Sequence, residues 1–259
     1  MKTGEKVAVG AVCLLTATTV AYLLWPRETK AAPLPQLYGL PGKLVIAIPQ
    51  DDSPCASTPV LIWIAPSIAK FASQIAAADL ELTADPENIR GAVLDLTPQI
   101  LFLSGHGNAS VYTCQRCEPF FASSGLNLDL VSGKYVHLLS CLTAQDLGHK
   151  IIEQGALVFF GYSEEFWAVI KGTPGCGRYV DAPFCGDIEI ETAFHEGDTN
   201  AKVIYYRAIA RIDAEIDYWG EHWDEEEADG PIDSVDAQIL ISILIHNKNA
   251  LTYYTPAAP

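Results

Sequence analysis

Two side chains in this 259-residue chain have the types and settings for nucleophilic chemistry, Cys141 and His106. A cysteine attacks as thiolate, and its ordinary pKa of about 8.5 leaves only a few per cent ionised at neutral pH. A nearby imidazole raises that fraction and can later protonate a leaving amine. The two residues lie 35 positions apart, room for a crossover between neighbouring parallel strands. Each stands just past a short apolar run: 99–104 leads into Gly105-His106-Gly107, and 135–140 leads into Cys141. A helix expected over about 144–154 would bring its amino-terminal amides near the thiol and favour the thiolate. Gly107 has no Cβ, so its backbone N–H can approach a ligand closely. With the Cys141 N–H it would form an oxyanion hole for a tetrahedral intermediate.

The elements that must position these residues follow from alternating apolar runs and helical periods. Strands are expected at 43–49, 60–65, 99–104, 135–140 and 156–160, the last stopped at Gly161. Helices are expected near 67–78, 87–95, 144–154, 200–218 and 235–247. Strands alternating with helices imply an α/β fold, a mainly parallel sheet sandwiched by helices. In such sheets ligands bind beyond the carboxyl ends of the strands, where His106 and Cys141 both stand.

In these residues the chain resembles the caspase-like cysteine peptidases, the group of caspases, gingipains, legumain and separase. Their signature is an apolar strand ending in His-Gly, a spacer, and an apolar strand ending in a small residue and Cys. Here these stand as Leu-Phe-Leu-Ser-Gly-His106-Gly107 and Val-His-Leu-Leu-Ser140-Cys141. Gly155 to Tyr162 looks like the strand that follows the nucleophile in gingipain-like members, and Phe194 to Ala201 like the turn opening their next helix. The similarity covers about residues 43–220. It implies a caspase/gingipain-like fold and a thiol protease acting on a protein or peptide substrate, with Cys141 as nucleophile and His106 as base. Several members carry Asp just before Cys, where this chain has Leu139 and Ser140, so residues that recognise the substrate side chain do not transfer.

Other candidates carry weaker signals. Cys114 and Cys117 fall in the loop after His106, and Cys176 and Cys185 in a Gly/Pro-rich loop after the last expected strand. In an exported domain they would form disulfides, Cys114 near Cys117 and Cys176 near Cys185, sparing Cys141. The alternatives gather all four around zinc, although a second close pair is missing, or leave them as unlinked thiols. His137, four residues before Cys141, reads as a core or surface histidine, and His149 as a solvated one. His195, His222 and His246 show no metal-ligand spacing, and the dyad chemistry calls for neither metal nor cofactor. The acidic run 221–229 reads as a solvated loop.

Residues 7–25 carry no charge and are bracketed by Lys2 and Lys6 before and Arg27 and Lys30 after. As a helix they would span roughly 28 Å, close to the hydrocarbon thickness of a bilayer. Residues 1–25 are therefore expected to form a single-pass transmembrane helix, with a cleaved signal peptide as the alternative. Residues 26–42, with four prolines, would form a linker, and 43–259 the peptidase domain, placed outside the cytoplasm. The chain's net charge of −16 argues against nucleic-acid partners. Two further readings stay open: a catalytically inactive caspase-like binding module, and an unrelated α/β domain with cysteine-bound zinc.

Overall fold

The computed structural model describes residues 36–49, 60–169, 177–223, 226–227 and 230–257. The expected membrane segment, most of the linker, Cys13, Cys55 and Cys176 lie outside them. No helix among the described residues is long and apolar enough to cross a membrane.

The chain opens with β1 (Leu37–Leu40) and β2 (Leu44–Ala47), an antiparallel hairpin. Residues expected to end a linker thus belong to the sheet, and the domain reaches back to at least residue 36. The reason is local: Lys43 N–H donates to Leu40 O across Pro41-Gly42, with Gly42 at φ 69°. Proline followed by a left-handed glycine is the chemistry of a type II turn.

α1 (Val60–Gln74) follows, then β3 (Ala78–Asp79), α2 (Pro86–Leu96) and β4 (Ile100–Ser104). The expected strand at 60–65 is instead the first part of α1. A short apolar run does not separate strand from helix by itself. The burial of Ala65, Ile68 and Ala72, three and four residues apart, shows the helical period. α2 starts at an N-cap, where the Asp85 carboxylate accepts from Asn88 N–H at 3.0 Å.

After β4 comes a small three-stranded antiparallel sheet, β5 (His106–Gly107), β6 (Val111–Thr113) and β7 (Pro119–Ala122). β8 (Tyr135–Leu139), α3 (Asp146–Glu153) and β9 (Val158–Tyr162) complete the central βαβ unit. The short α4 (Arg178–Asp181) is followed by α5 (Cys185–His195) and α6 (Ala201–Glu221), and the last two pack across one face. The two-residue strands β10 (Glu226–Glu227) and β11 (Gly230–Pro231) precede α7 (Ser234–Ala250) and β12 (Leu251–Tyr254).

The main sheet has seven strands in the order β12-β9-β8-β4-β2-β1-β3. Its centre, β2, β4, β8 and β9, is parallel, with β1 and β12 antiparallel beside it. Alternate residues of each strand enter two apolar layers. Ile46, Phe102 and Phe160 meet α1, α5 and α6, while Val45, Leu101 and Phe159 meet α2, α3 and β7. Burial on both faces is why these strands read as unbroken apolar runs.

Candidate active site

Ser104, the end of β4, lies opposite Leu139, the end of β8, and Gly105 N–H donates to Leu139 O at 3.2 Å. His106 and Cys141 each follow two residues later, at the same edge of the sheet. The chain then turns His106-Gly107 into β5, opposite Thr113 and Tyr112 of β6. The Tyr112 hydroxyl, fully buried, donates to Ser104 O at 2.8 Å and fixes that turn from below.

Gly107 sits directly on the turn that carries the thiol. A Cβ there would collide with Ser140 Oγ, would lie 2.7 Å from Thr143 Cγ2, and would lie 2.8 Å from Cys141 O. The missing side chain is thus used for close packing of the His-Gly and Ser-Cys segments. It was expected to serve ligand approach.

α3 begins only at Asp146, five residues past Cys141, so the thiol does not sit at a helix amino terminus as expected. The intervening turn is tied to the end of β9 instead. Leu142 N–H donates to Glu164 O and Ala144 N–H to Tyr162 O, both at 3.0 Å. Leu142 holds a left-handed backbone at φ 63°, uncommon for a branched side chain.

The Cys141 sulfur is half-buried and accepts a hydrogen bond from Phe166 N–H at 3.3 Å. Burial pushes its thiol pKa above the ordinary value, the Phe166 amide opposes that shift, and Glu165 adds to it. The neutral thiol is therefore favoured over the thiolate at this sulfur. His106 is half-buried beside the same edge.

The segment after β9 is held by α7. Buried Asn247 accepts from Trp167 N–H at 2.9 Å and donates to Trp167 O at 2.7 Å. His246 Nε2 donates to Glu165 O at 2.7 Å, and its ring stacks on Trp167 at 3.8 Å between centroids. Sequence reasoning missed these residues, because His246 and Asn247 look like ordinary polar positions near the end of an amphipathic helix.

His137 is the larger surprise. It lies in mid-β8, fully buried and stacked on Phe102, with Nδ1 2.9 Å from Glu191 and Nε2 3.0 Å from Asp187. The Tyr162 hydroxyl donates to both Asp187 oxygens. Burial alone would push the imidazole pKa down, but the two carboxylates outweigh it and raise it to about 9. Asp187 and Glu191 stand one helical turn apart on α5, in a stretch for which no element is expected from the sequence. A histidine within an otherwise apolar strand was the available signal that a buried acidic partner must exist.

The expected cysteine pairs do not form. Cys117 is disulfide-bonded, whereas Cys114 and Cys185 are free, buried thiols. Cys114 packs into the apolar layer and its Sγ donates to Glu118 O at 3.4 Å, while Arg116 and Cys117 take left-handed backbone in the tight turn that follows. Burial raises the Cys114 thiol to about 12 and pushes Cys185 up as well. Among the described residues no three His, Cys, Asp or Glu side chains form a metal-holding group. A separate cavity of about 490 Å³ lies between α1, α5 and α6, lined by Ser67, Arg178, Arg211 and Glu215, and includes neither His106 nor Cys141.

No family model, curated protein or solved structure matches the chain.

Proposed function

We propose that the protein is a cysteine endopeptidase of the caspase/gingipain-like class, working through Cys141 and His106 on a protein or peptide. The observation that carries this reading is the packing of Gly107 onto Ser140 and Cys141 O, which locks the His-Gly and Ser-Cys strand ends together. A half-buried thiol at the carboxyl edge of a parallel sheet is where such a fold does its chemistry.

In the reaction, His106 takes the Cys141 proton as the sulfur bonds to the scissile carbonyl carbon. The carbonyl π pair moves onto oxygen, towards the amides of Gly107 and Cys141. Collapse breaks the C–N bond, and His106 returns the proton to the departing amine. Water, deprotonated by His106, then attacks the thioester, releases the carboxylate and restores the thiol. Residues 7–25 would tether this domain to a membrane, a reading that rests on their length and lack of charge.

The test is cleavage of a diverse peptide library by the full chain and by Cys141→Ala and His106→Ala. Each substitution should lower cleavage by roughly three orders of magnitude or more. Unfolding free energy should change by only about 1 kcal/mol, since neither site is a large core side chain. Cleavage by Cys141→Ala at the wild-type rate would remove the nucleophile assignment. Failure of the wild type both to cleave and to react with a thiol-directed peptidyl probe would leave the inactive binding module.

A further inference from the structure

We propose that Asn247 of α7 is a positioning residue for the nucleophile, acting through the backbone of residues 165–167 to hold the Phe166 amide on the Cys141 sulfur. The inference rests on Cys141 being the reacting group.

Three contacts form a chain from the helix to the thiol. The Asn247 amide grips the Trp167 backbone twice, at 2.9 Å on its N–H and 2.7 Å on its carbonyl. The preceding residue's N–H then reaches Cys141 Sγ at 3.3 Å. Asn247 is 1% exposed, so no water competes for either bond. A side-chain amide matched to both groups of one peptide residue fixes its position and its rotation. A side chain with one polar atom would leave rotation open.

An N–H fixed on sulfur has a chemical consequence. It donates more strongly to a thiolate than to a thiol, so it favours the ionised form that attacks. With no helix amino terminus at Cys141, this amide is the larger of two backbone donors that favour the thiolate, the other being the N–H of Cys141 itself. The ionisable groups on these elements include His106 of β5, Glu164 and Glu165 after β9, and His246 and Lys248 of α7, the last paired with Asp213. Glu165 opposes ionisation of the sulfur. The amide thus works against both burial and a neighbouring carboxylate.

The test measures Cys141 alkylation by iodoacetamide against pH in the full chain, with Cys141→Ala correcting for other thiols. Asn247→Ala should move the midpoint up by about one pH unit, with about tenfold slower alkylation at neutral pH. Asn249→Ala, exposed on the same helix, should leave the curve in place. If Asn247→Ala fails to fold, Asn247→Asp keeps the size and the acceptor, loses the donor to Trp167 O, and should shift the midpoint in the same direction. A wild-type curve in a folded Asn247 variant would overturn the proposal. The readout needs no peptide cleavage, so an inactive wild type would defeat the peptidase reading and still leave this comparison decisive.

Discussion

Two histidines on neighbouring strands live in opposite circumstances. His137, within β8, is wholly buried and has a carboxylate on each ring nitrogen. His106, just past β4, is half-buried at the sheet edge, in a segment packed on the Cys141 turn. Both occupy apolar-strand contexts in the sequence, and neither context alone tells which imidazole is structural. What separates them is how charge is managed. The interior site pairs both ring nitrogens of His137 with the carboxylates of Asp187 and Glu191, and those partners hold the imidazolium proton up to about pH 9. The edge site has a half-buried thiol, with the Glu165 carboxylate and the Phe166 amide adjusting it in opposite directions.

The sharpest way to break this contrast is His137→Ala. It strands two carboxylates in the core, and removing one partner of a buried charge set costs about 3–5 kcal/mol. Denaturant unfolding of the variant should show that loss. Triple replacement by His137→Phe, Asp187→Asn and Glu191→Gln should recover much of it if the cluster is only structural. A His137→Ala protein of wild-type stability would mean that His137 does not hold the two carboxylates as described.

The same cluster fixes a pH dependence. The folded pKa of His137 is raised from the ordinary 6.5 to about 9, so the folded state holds its proton more tightly. That contribution is fully present below about pH 6.5 and is lost as pH rises through about 9. Burial also raises the Glu191 carboxyl, although the His137 partnership opposes it. This makes folding less favourable as pH rises above the ordinary glutamate range, the same direction. Unfolding free energy should therefore fall between about pH 6.5 and 9 in wild type. The fall should be shallower in the triple variant, measured at constant ionic strength.

A smaller effect is expected from Gly107→Ala. The added methyl must displace Ser140, Thr143 or the Cys141 carbonyl, at about 1–3 kcal/mol. Peptide cleavage should fall by more than this stability loss accounts for, because the two strand ends move apart. Full activity in the folded variant would show that the close approach is packing alone.

Much of the frame was legible. Strands at Ile100–Ser104 and Tyr135–Leu139 and helices at Pro86–Leu96, Ala201–Glu221 and Ser234–Ala250 follow from unbroken apolar runs and long helical periods. So does the shared edge position of His106 and Cys141. Other parts depended on tertiary partners. α5 hides its helical period because two of its inward positions are Asp187 and Glu191, acceptable there only with His137 opposite. β12 reads as a tail until β9 offers it an antiparallel edge. The hold of α7 on residues 165–167 spans about 80 positions of sequence, and no local pattern announces it.

The raised thiol pKa of Cys141 has a further consequence beside the disulfide at Cys117. Disulfides persist where the surroundings are oxidising, and there an exposed cysteine is normally at risk of climbing to sulfenic and sulfinic acid. Oxidants such as peroxide react with thiolate and leave the protonated thiol largely alone. Desolvation keeps the Cys141 sulfur protonated at rest, which makes it a poor peroxide target. The same burial thus favours the coexistence of a reduced cysteine and an oxidised one in the same molecule.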